Sequence, residues 1–236
     1  PARIYRRKTQ LIMKARSTGA IIVAAGSGAR FGGKVPKQFL ALCGKPVFYW
    51  SIKAFQKAGV RDIVVVVPRL YLPKLIKQEK TPGVRFVAGG KERYHSVQNG
   101  LSALPKNVKI VAIHDGARPL IRPSVIKSSI VSAAKSGAAL VAVLSKDTVK
   151  LSKNGARVDA TTPRASVWLA QTPQAFKRSI IEKAYSAINL AGITDDAQAA
   201  ELAGYPVSIV QGSYNNLKIT HPLDLKLAEI LMKEKD

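Results

Sequence analysis

Ile63-Val64-Val65-Val66-Val67 places five β-branched residues in a row with no polar alternation. Successive strand side chains point to opposite faces, so a strand with one wet face alternates; an unbroken apolar run belongs to a strand covered on both sides. The run is predicted as a strand over residues 62–67, with similar strands at 20–25, 84–88, 109–113 and 138–144. Amphipathic stretches at 46–58, 92–104, 124–136 and 178–190 lie between and after them and predict helices. Strand and helix in alternation imply right-handed crossovers and a mostly parallel sheet. The expected fold class is therefore α/β: a Rossmann-like three-layer sandwich with a mostly parallel twisted sheet, whose ligands gather at the carboxyl ends of the strands.

After Leu144 the rhythm breaks. Residues 146–171 hold short Thr- and Val-containing segments around Asn154-Gly155, a hairpin signal, and read as a β-arm projecting from the body. Strands at 207–210 and 217–220 and a final helix from about Pro222 complete the pattern. The 236 residues fit one domain over 19–236, arm included, preceded by a basic extension over 1–18. Arg3, Arg6, Arg7, Lys8, Lys14 and Arg16 make up that extension's charge, and the first acidic residue is Asp62. It is short and poor in Ser, so a solvated extension is expected rather than an organelle-targeting segment.

Composition narrows the classes further. Hydrophobic residues make up 47% of the chain, which supplies a core and excludes disorder. No apolar run reaches the roughly 18 residues of a membrane span, so no membrane partner is expected. Cys43 is the single cysteine, so no intrachain disulfide can form and a cytoplasmic location is expected. It sits in Leu42-Cys43-Gly44-Lys45-Pro46 without a His partner and is expected to be a packing residue. His95, His114 and His221 lack zinc-site spacing. A net charge of +24 favours polyanionic ligands. Nucleic acid is one such ligand, but no recognised binding module is present, and phosphorylated small molecules fit equally well.

The first strand leads into Ala24-Ala25-Gly26-Ser27-Gly28-Ala29-Arg30-Phe31-Gly32-Gly33-Lys34-Val35-Pro36-Lys37. Small residues let backbone N–H groups approach phosphate oxygens, and Arg30 and Lys37 bring positive charge. Gly28 to Lys34 has the spacing of a P-loop, but Val35 stands where magnesium needs Ser or Thr. Gly26-Ser27-Gly28 opens a dinucleotide fingerprint, but Phe31 takes the place of its third glycine. The loop resembles instead the signature of nucleotidyltransferases that activate sugars, Ala-Ala-Gly-x-Gly-x-Arg followed by Pro-Lys-Gln.

Later segments narrow the resemblance to the 2-C-methyl-D-erythritol 4-phosphate cytidylyltransferase family. They are Gly89-Gly90-Lys91-Glu92-Arg93 with Ser96-Val97, His114-Asp115-Gly116-Ala117-Arg118-Pro119, and Lys146-Asp147-Thr148. Gln171-Thr172-Pro173-Gln174, Thr194-Asp195-Asp196, Gly212-Ser213-Tyr214 and Lys218-Ile219-Thr220 follow in family order. The resemblance implies transfer of CMP from CTP to methylerythritol phosphate with release of pyrophosphate, a step of non-mevalonate isoprenoid precursor synthesis. It gives Arg30 and Lys37 the stabilisation of the transition state. It places Ala24, Ala25, Gly26, Gly90, Lys91 and Ser96 around the cytidine. It puts Thr148, Arg164, Arg118 and Lys218 around the second substrate.

A carboxylate at Asp115, on a strand's carboxyl end, can hold Mg2+ or another divalent cation on the triphosphate. The family's usual second carboxylate falls at Asn215, an amide here, which can ligate only through a neutral oxygen. The arm crosses to a second subunit in the family, which implies a homodimer with shared sites. Ribitol 5-phosphate is the alternative acceptor, and a non-catalytic nucleic-acid-binding protein the more distant alternative.

Overall fold

A strand buried on both faces needs a helical layer on each, and the computed structural model of the chain supplies both. It describes residues 17–26, 31 and 35–234, so residues 1–16 of the basic extension over 1–18, and Arg30, fall outside the described residues. The chain begins with β1 (Thr18–Val23), the small hairpin β2 (Ala41–Leu42) and β3 (Lys45–Pro46), then α1 (Val47–Lys57). It continues through β4 (Asp62–Val67), α2 (Leu72–Gln78), β5 (Val84–Ala88), α3 (Arg93–Ala103), β6 (Ile110–Asp115), α4 (Pro123–Ser136) and β7 (Ala138–Leu144). The arm holds β8 (Val149–Leu151) and β9 (Ala160–Thr162), and β10 (Trp168–Lys177) returns from it. The last elements are α5 (Arg178–Ala187), α6 (Asp196–Leu202), β11 (Ser208–Gln211) and α7 (Pro222–Lys233).

Seven strands form one sheet in the order β11-β7-β10-β6-β1-β4-β5. All its pairings are parallel except those of β10, which runs antiparallel to β6 and to β7. The unbroken apolar run of β4 divides between two cores: Ile63, Val65 and Val67 pack with Phe48, Phe55, Ile126 and Ile130 of α1 and α4. Val64 and Val66 pack on the other face with Val97, Leu101, Ile181 and Tyr185 of α3 and α5, and with Ala199 and Ala200 of α6. Each such side chain, once fully buried, contributes about 1.5–3 kcal/mol over its exposed state. A third cluster, Leu42, Val47, Leu120, Ile219 and Ala228, seats α7 against the β2–β3 hairpin.

The expected α/β sandwich is present, and several local expectations are corrected. β10 lies at the heart of the sheet, although no strand was expected beyond the arm at 172–177. Gln171, Thr172 and Gln174 are buried polar residues, and the register shifts between Ala170 and Gln174, around Pro173. A proline cannot donate to a ladder and is tolerated at such a shift. Residues 217–220 form no strand: Ile219 N–H donates to Ala117 O at 2.8 Å, and the segment runs extended past the end of β6. The arm's hairpin is wider than the Asn154-Gly155 signal suggests, because β8 ends at Leu151 and β9 starts at Ala160. Cys43 is exposed at φ 46° in the β2–β3 turn, so it is not the buried packing residue expected. Among the described residues, no helix is long and apolar enough to cross a membrane.

Candidate active site

The carboxyl ends of β1, β5 and β6 open into a cleft of about 510 Å³. Val23, Ala25 and Gly26 line it from β1 and the start of the glycine-rich loop; Lys37 and Gln38 line it from that loop's return. Gly90, Lys91, Glu92, Arg93 and Ser96 come from the start of α3, Asp115 and Ala117 from the end of β6, and Lys218 from the extended segment before α7.

The walls can close in because Gly89 has no side chain: a Cβ there would stand 2.3 Å from Ala25 Cβ, less than any real contact. The next turn is held by Ser96, which is 2% exposed and whose Oγ accepts the Gly90 N–H at 3.1 Å. Glu92 caps α3 reciprocally with His95, fixing the direction in which Lys91 and Arg93 leave the backbone. Ala24 is fully buried behind Ala25 and does not line the cleft itself.

Asp115 is the electrostatic centre. Lys218 Nζ lies 2.8 Å from its Oδ2, Arg118 Nε 3.7 Å from the same oxygen, and Arg93 Nη2 3.7 Å from Oδ1. Burial alone would raise its pKa, but Lys218, Arg93 and Arg118 together hold the carboxyl well below the usual range. It is ionised at neutral pH. Its backbone is fixed by a relay: Asp115 N–H donates to Thr172 Oγ1 at 3.0 Å, and Thr172 Oγ1 stands 2.9 Å from His114 Nδ1. His114 Nε2 in turn lies 3.1 Å from Arg118 O. Burial, opposed by Asp115, pushes the His114 imidazole down to about 4, so it is neutral at pH 7. Nε2–H then donates to Arg118 O and Nδ1 accepts from Thr172, which clamps the Asp115–Arg118 turn.

Other site candidates are placed differently. Arg118 does not line the cleft but braces neighbouring backbone, Nη1 donating to Asn216 O at 2.8 Å. Asn215 does not line the cleft. Its neighbour Asn216 is the buried one, with Nδ2 donating to Gln171 Oε1 and Thr172 O, each at 3.0 Å, which leaves Asn215 on the outer side of the turn. Thr148 and Arg164 are exposed on the arm and do not line this chain's own cleft. Arg164 Nη1 donates to Lys146 O at 3.0 Å.

Of the cleft residues with no role assigned from the sequence, Gln38 and Arg93 make the most telling contacts. Gln38 is treated below. Arg93 makes a two-pronged pair with Asp196, at 2.7 and 2.8 Å, and Asp196 also accepts from the Tyr185 hydroxyl. Arg93 and Asp196 both lie in quoted motifs, but they stand 103 positions apart and nothing local links them.

Comparison with known proteins places the chain among its relatives. The family model described as IspD: 2-C-methyl-D-erythritol 4-phosphate cytidylyltransferase matches residues 18–234. The 2-C-methyl-D-erythritol 4-phosphate cytidylyltransferase of Lachnoclostridium phytofermentans is 45% identical over 227 residues, covering 91% of this chain and 96% of its own. The crystal structure of 4-diphosphocytidyl-2C-methyl-D-erythritol synthase from Anaerococcus prevotii superposes with a TM-score of 0.82 at 28% identity, covering 94% of this chain and 99% of that one. That of the Thermus thermophilus cytidylyltransferase superposes at 0.76 with 32% identity, covering 91% and 98%. A Rossmann-like sheet whose carboxyl edge carries Lys37, Asp115 and Lys218, matched by the family model from β1 to the end of α7, belongs to the 2-C-methyl-D-erythritol 4-phosphate cytidylyltransferase family.

Proposed function

We propose that the cleft transfers CMP from CTP to 2-C-methyl-D-erythritol 4-phosphate, giving 4-diphosphocytidyl-2-C-methyl-D-erythritol and pyrophosphate. The observation that carries the reading is the convergence of Lys37, Lys218 and Asp115 on one cleft beside the Ala25-Gly26 edge. A phosphate oxygen of the acceptor attacks the α-phosphorus, and the bond to the β-phosphate oxygen breaks in line. No nucleophilic side chain is needed; the protein aligns two anions and meets the charge that grows on the α-phosphoryl oxygens. Lys37 supplies the opposing positive charge, together with Arg30 of the same loop. Ala25, Gly26, Gly90, Lys91 and Ser96 surround the base, reading its edge largely through backbone groups, with Ala24 buried behind them.

Lys218 holds the acceptor's phosphate, and to do so it exchanges Asp115, its partner at 2.8 Å, for the incoming anion. The released carboxylate fits a divalent cation, since Mg2+ takes one or two carboxylates and draws its other ligands from water and phosphates. Bound there, Mg2+ would neutralise triphosphate charge. Asp115 is the residue that would hold it; Asn215, outside the cleft, adds no charge to the set. The direct test is pyrophosphate release by the purified protein with CTP and methylerythritol phosphate, run in competition with ribitol 5-phosphate. Faster turnover of the ribitol ester would overturn the assignment of the acceptor.

The arm completes the site in a homodimer, where Thr148 and Arg164 of one copy reach the cleft of the other. Support comes from their exposure away from their own cleft, and from apolar Leu151, Val158, Trp168 and Leu169, all exposed on the arm or its root. Lys37→Ala and Arg164→Ala proteins, each nearly inactive alone, should regain activity when co-expressed. A mixed dimer holds one intact site, so random pairing restores about a quarter of the wild-type rate. Absence of any recovery would mean that each arm serves its own cleft.

A further inference from the structure

Gln38 is 3% exposed, yet it borders the cleft. Its amide nitrogen donates to two carbonyls across the glycine-rich loop, Ala24 O at 3.0 Å and Gly26 O at 2.7 Å. Its amide oxygen is buried and has no hydrogen-bond partner among the described residues. An orphaned buried acceptor costs about 1–3 kcal/mol, a cost that methionine, similar in length, would not carry. What the amide does and methionine cannot is hold two carbonyls at once.

Both backbones that it joins are anchored independently. On its own side, Phe39 N–H donates to Pro36 O at 2.8 Å, and the Phe39 ring stacks on Tyr71 with centroids 4.4 Å apart and meets Phe48 edge-on at 5.3 Å. On the far side, Ala24 N–H donates to Val66 O at 2.8 Å, inside the sheet. Lys37 is the residue next to Gln38 in the same single turn, Lys37–Phe39.

We propose that Gln38 is a positioning residue that closes the base of the loop and thereby sets the spacing between Lys37 and the Ala25-Gly26 edge. The proposal rests on the reading of Lys37 as the cation at the α-phosphoryl group. A misplacement of about 1 Å at such a group costs on the order of 100-fold in rate, so a crossbar of this kind acts on turnover before it acts on binding.

The test places Gln38→Met and Gln38→Glu in the wild-type and in the Lys37→Ala background. Gln38→Met should lower kcat by about 10-fold or more and change the KM for CTP by less than about 3-fold. Its unfolding midpoint should stay near wild type, because the lost bonds and the relieved orphan oppose each other. Gln38→Glu, which turns a carboxylate toward two carbonyls, should lose at least as much turnover. In the Lys37→Ala background, Gln38→Met should cost less than about 3-fold, since a residue acting through Lys37 has nothing left to position. An equal loss in both backgrounds, or wild-type turnover in Gln38→Met, overturns the proposal. The rate of Lys37→Ala alone reports separately on the reading of Lys37.

Discussion

Lys37→Ala will lower kcat by about 100-fold or more and leave both Michaelis constants nearly unchanged. The expectation follows from timing. Charge on the α-phosphoryl oxygens grows as the new bond forms and pyrophosphate departs, so a cation aimed there interacts more strongly with the transition state than with bound CTP. Lys37 lines the cleft at the return of the loop, together with Ala25, Gly26 and the Lys218–Asp115 pair. Truncation at Lys218 should behave in the opposite manner and raise the KM of the sugar phosphate, because that phosphate is charged before the reaction starts. Steady-state kinetics with magnesium in excess separates the two. A fully active Lys37→Ala protein would remove the central mechanistic claim while leaving the fold and family untouched.

Asp196→Ala should cost about 3–5 kcal/mol of stability, the range for breaking a buried ion pair from one side. Asp196 is 1% exposed and serves two donors, the Arg93 guanidinium and the Tyr185 hydroxyl. The pair ties α3 to α6 and, through Tyr185, to α5, all on one face of the sheet. Without the carboxylate, Tyr185 keeps its burial and loses its acceptor. Arg93 is less exposed to loss, because its side chain is 31% accessible and Asp115 stands 3.7 Å away. Asp196→Asn keeps the shape and one acceptor and should lose less. For a chain of this size the Asp196→Ala change lowers Tm by roughly 10 °C. Urea unfolding that showed a loss below about 1 kcal/mol would mean that the pair only offsets its own desolvation.

The parts of the fold written locally were the parts legible in the sequence. Residues 62–67, 84–88 and 138–144 were bounded as found in β4, β5 and β7; burial on both faces leaves no polar residue inside the apolar runs of β4 and β7, whereas β5, at the sheet edge, carries exposed Arg85. β10 was not legible, because Gln171, Thr172 and Gln174 are buried for their hydrogen bonds rather than their hydrophobicity. α2 was missed for a different reason: it is only seven residues long, and although Leu72 and Leu75 pack against the core, none of its residues is fully buried. In the site, Lys37, Gly90, Lys91, Ser96, Asp115 and Lys218 came from short motifs, and the sheet's carboxyl edge brings them into one cleft. The tethering of Arg118 to Asn216 O and the pairing of Arg93 with Asp196 depend on contacts 98 and 103 positions apart, which no local pattern encodes.

The returning strand also decides how the arm can move. Trp168 pairs with Leu144 and Leu169 with Val143, so the two legs of the arm are bonded to each other where they leave the body. One leg then runs on between β7 and β6, laddered on both sides, and carries Thr172, which holds the Asp115 backbone. A projection rooted this way can bend along its length but cannot swivel at its base without breaking two ladders. Its aim is inherited from the twist of the sheet, and the strand that aims it also seats the carboxylate of its own cleft.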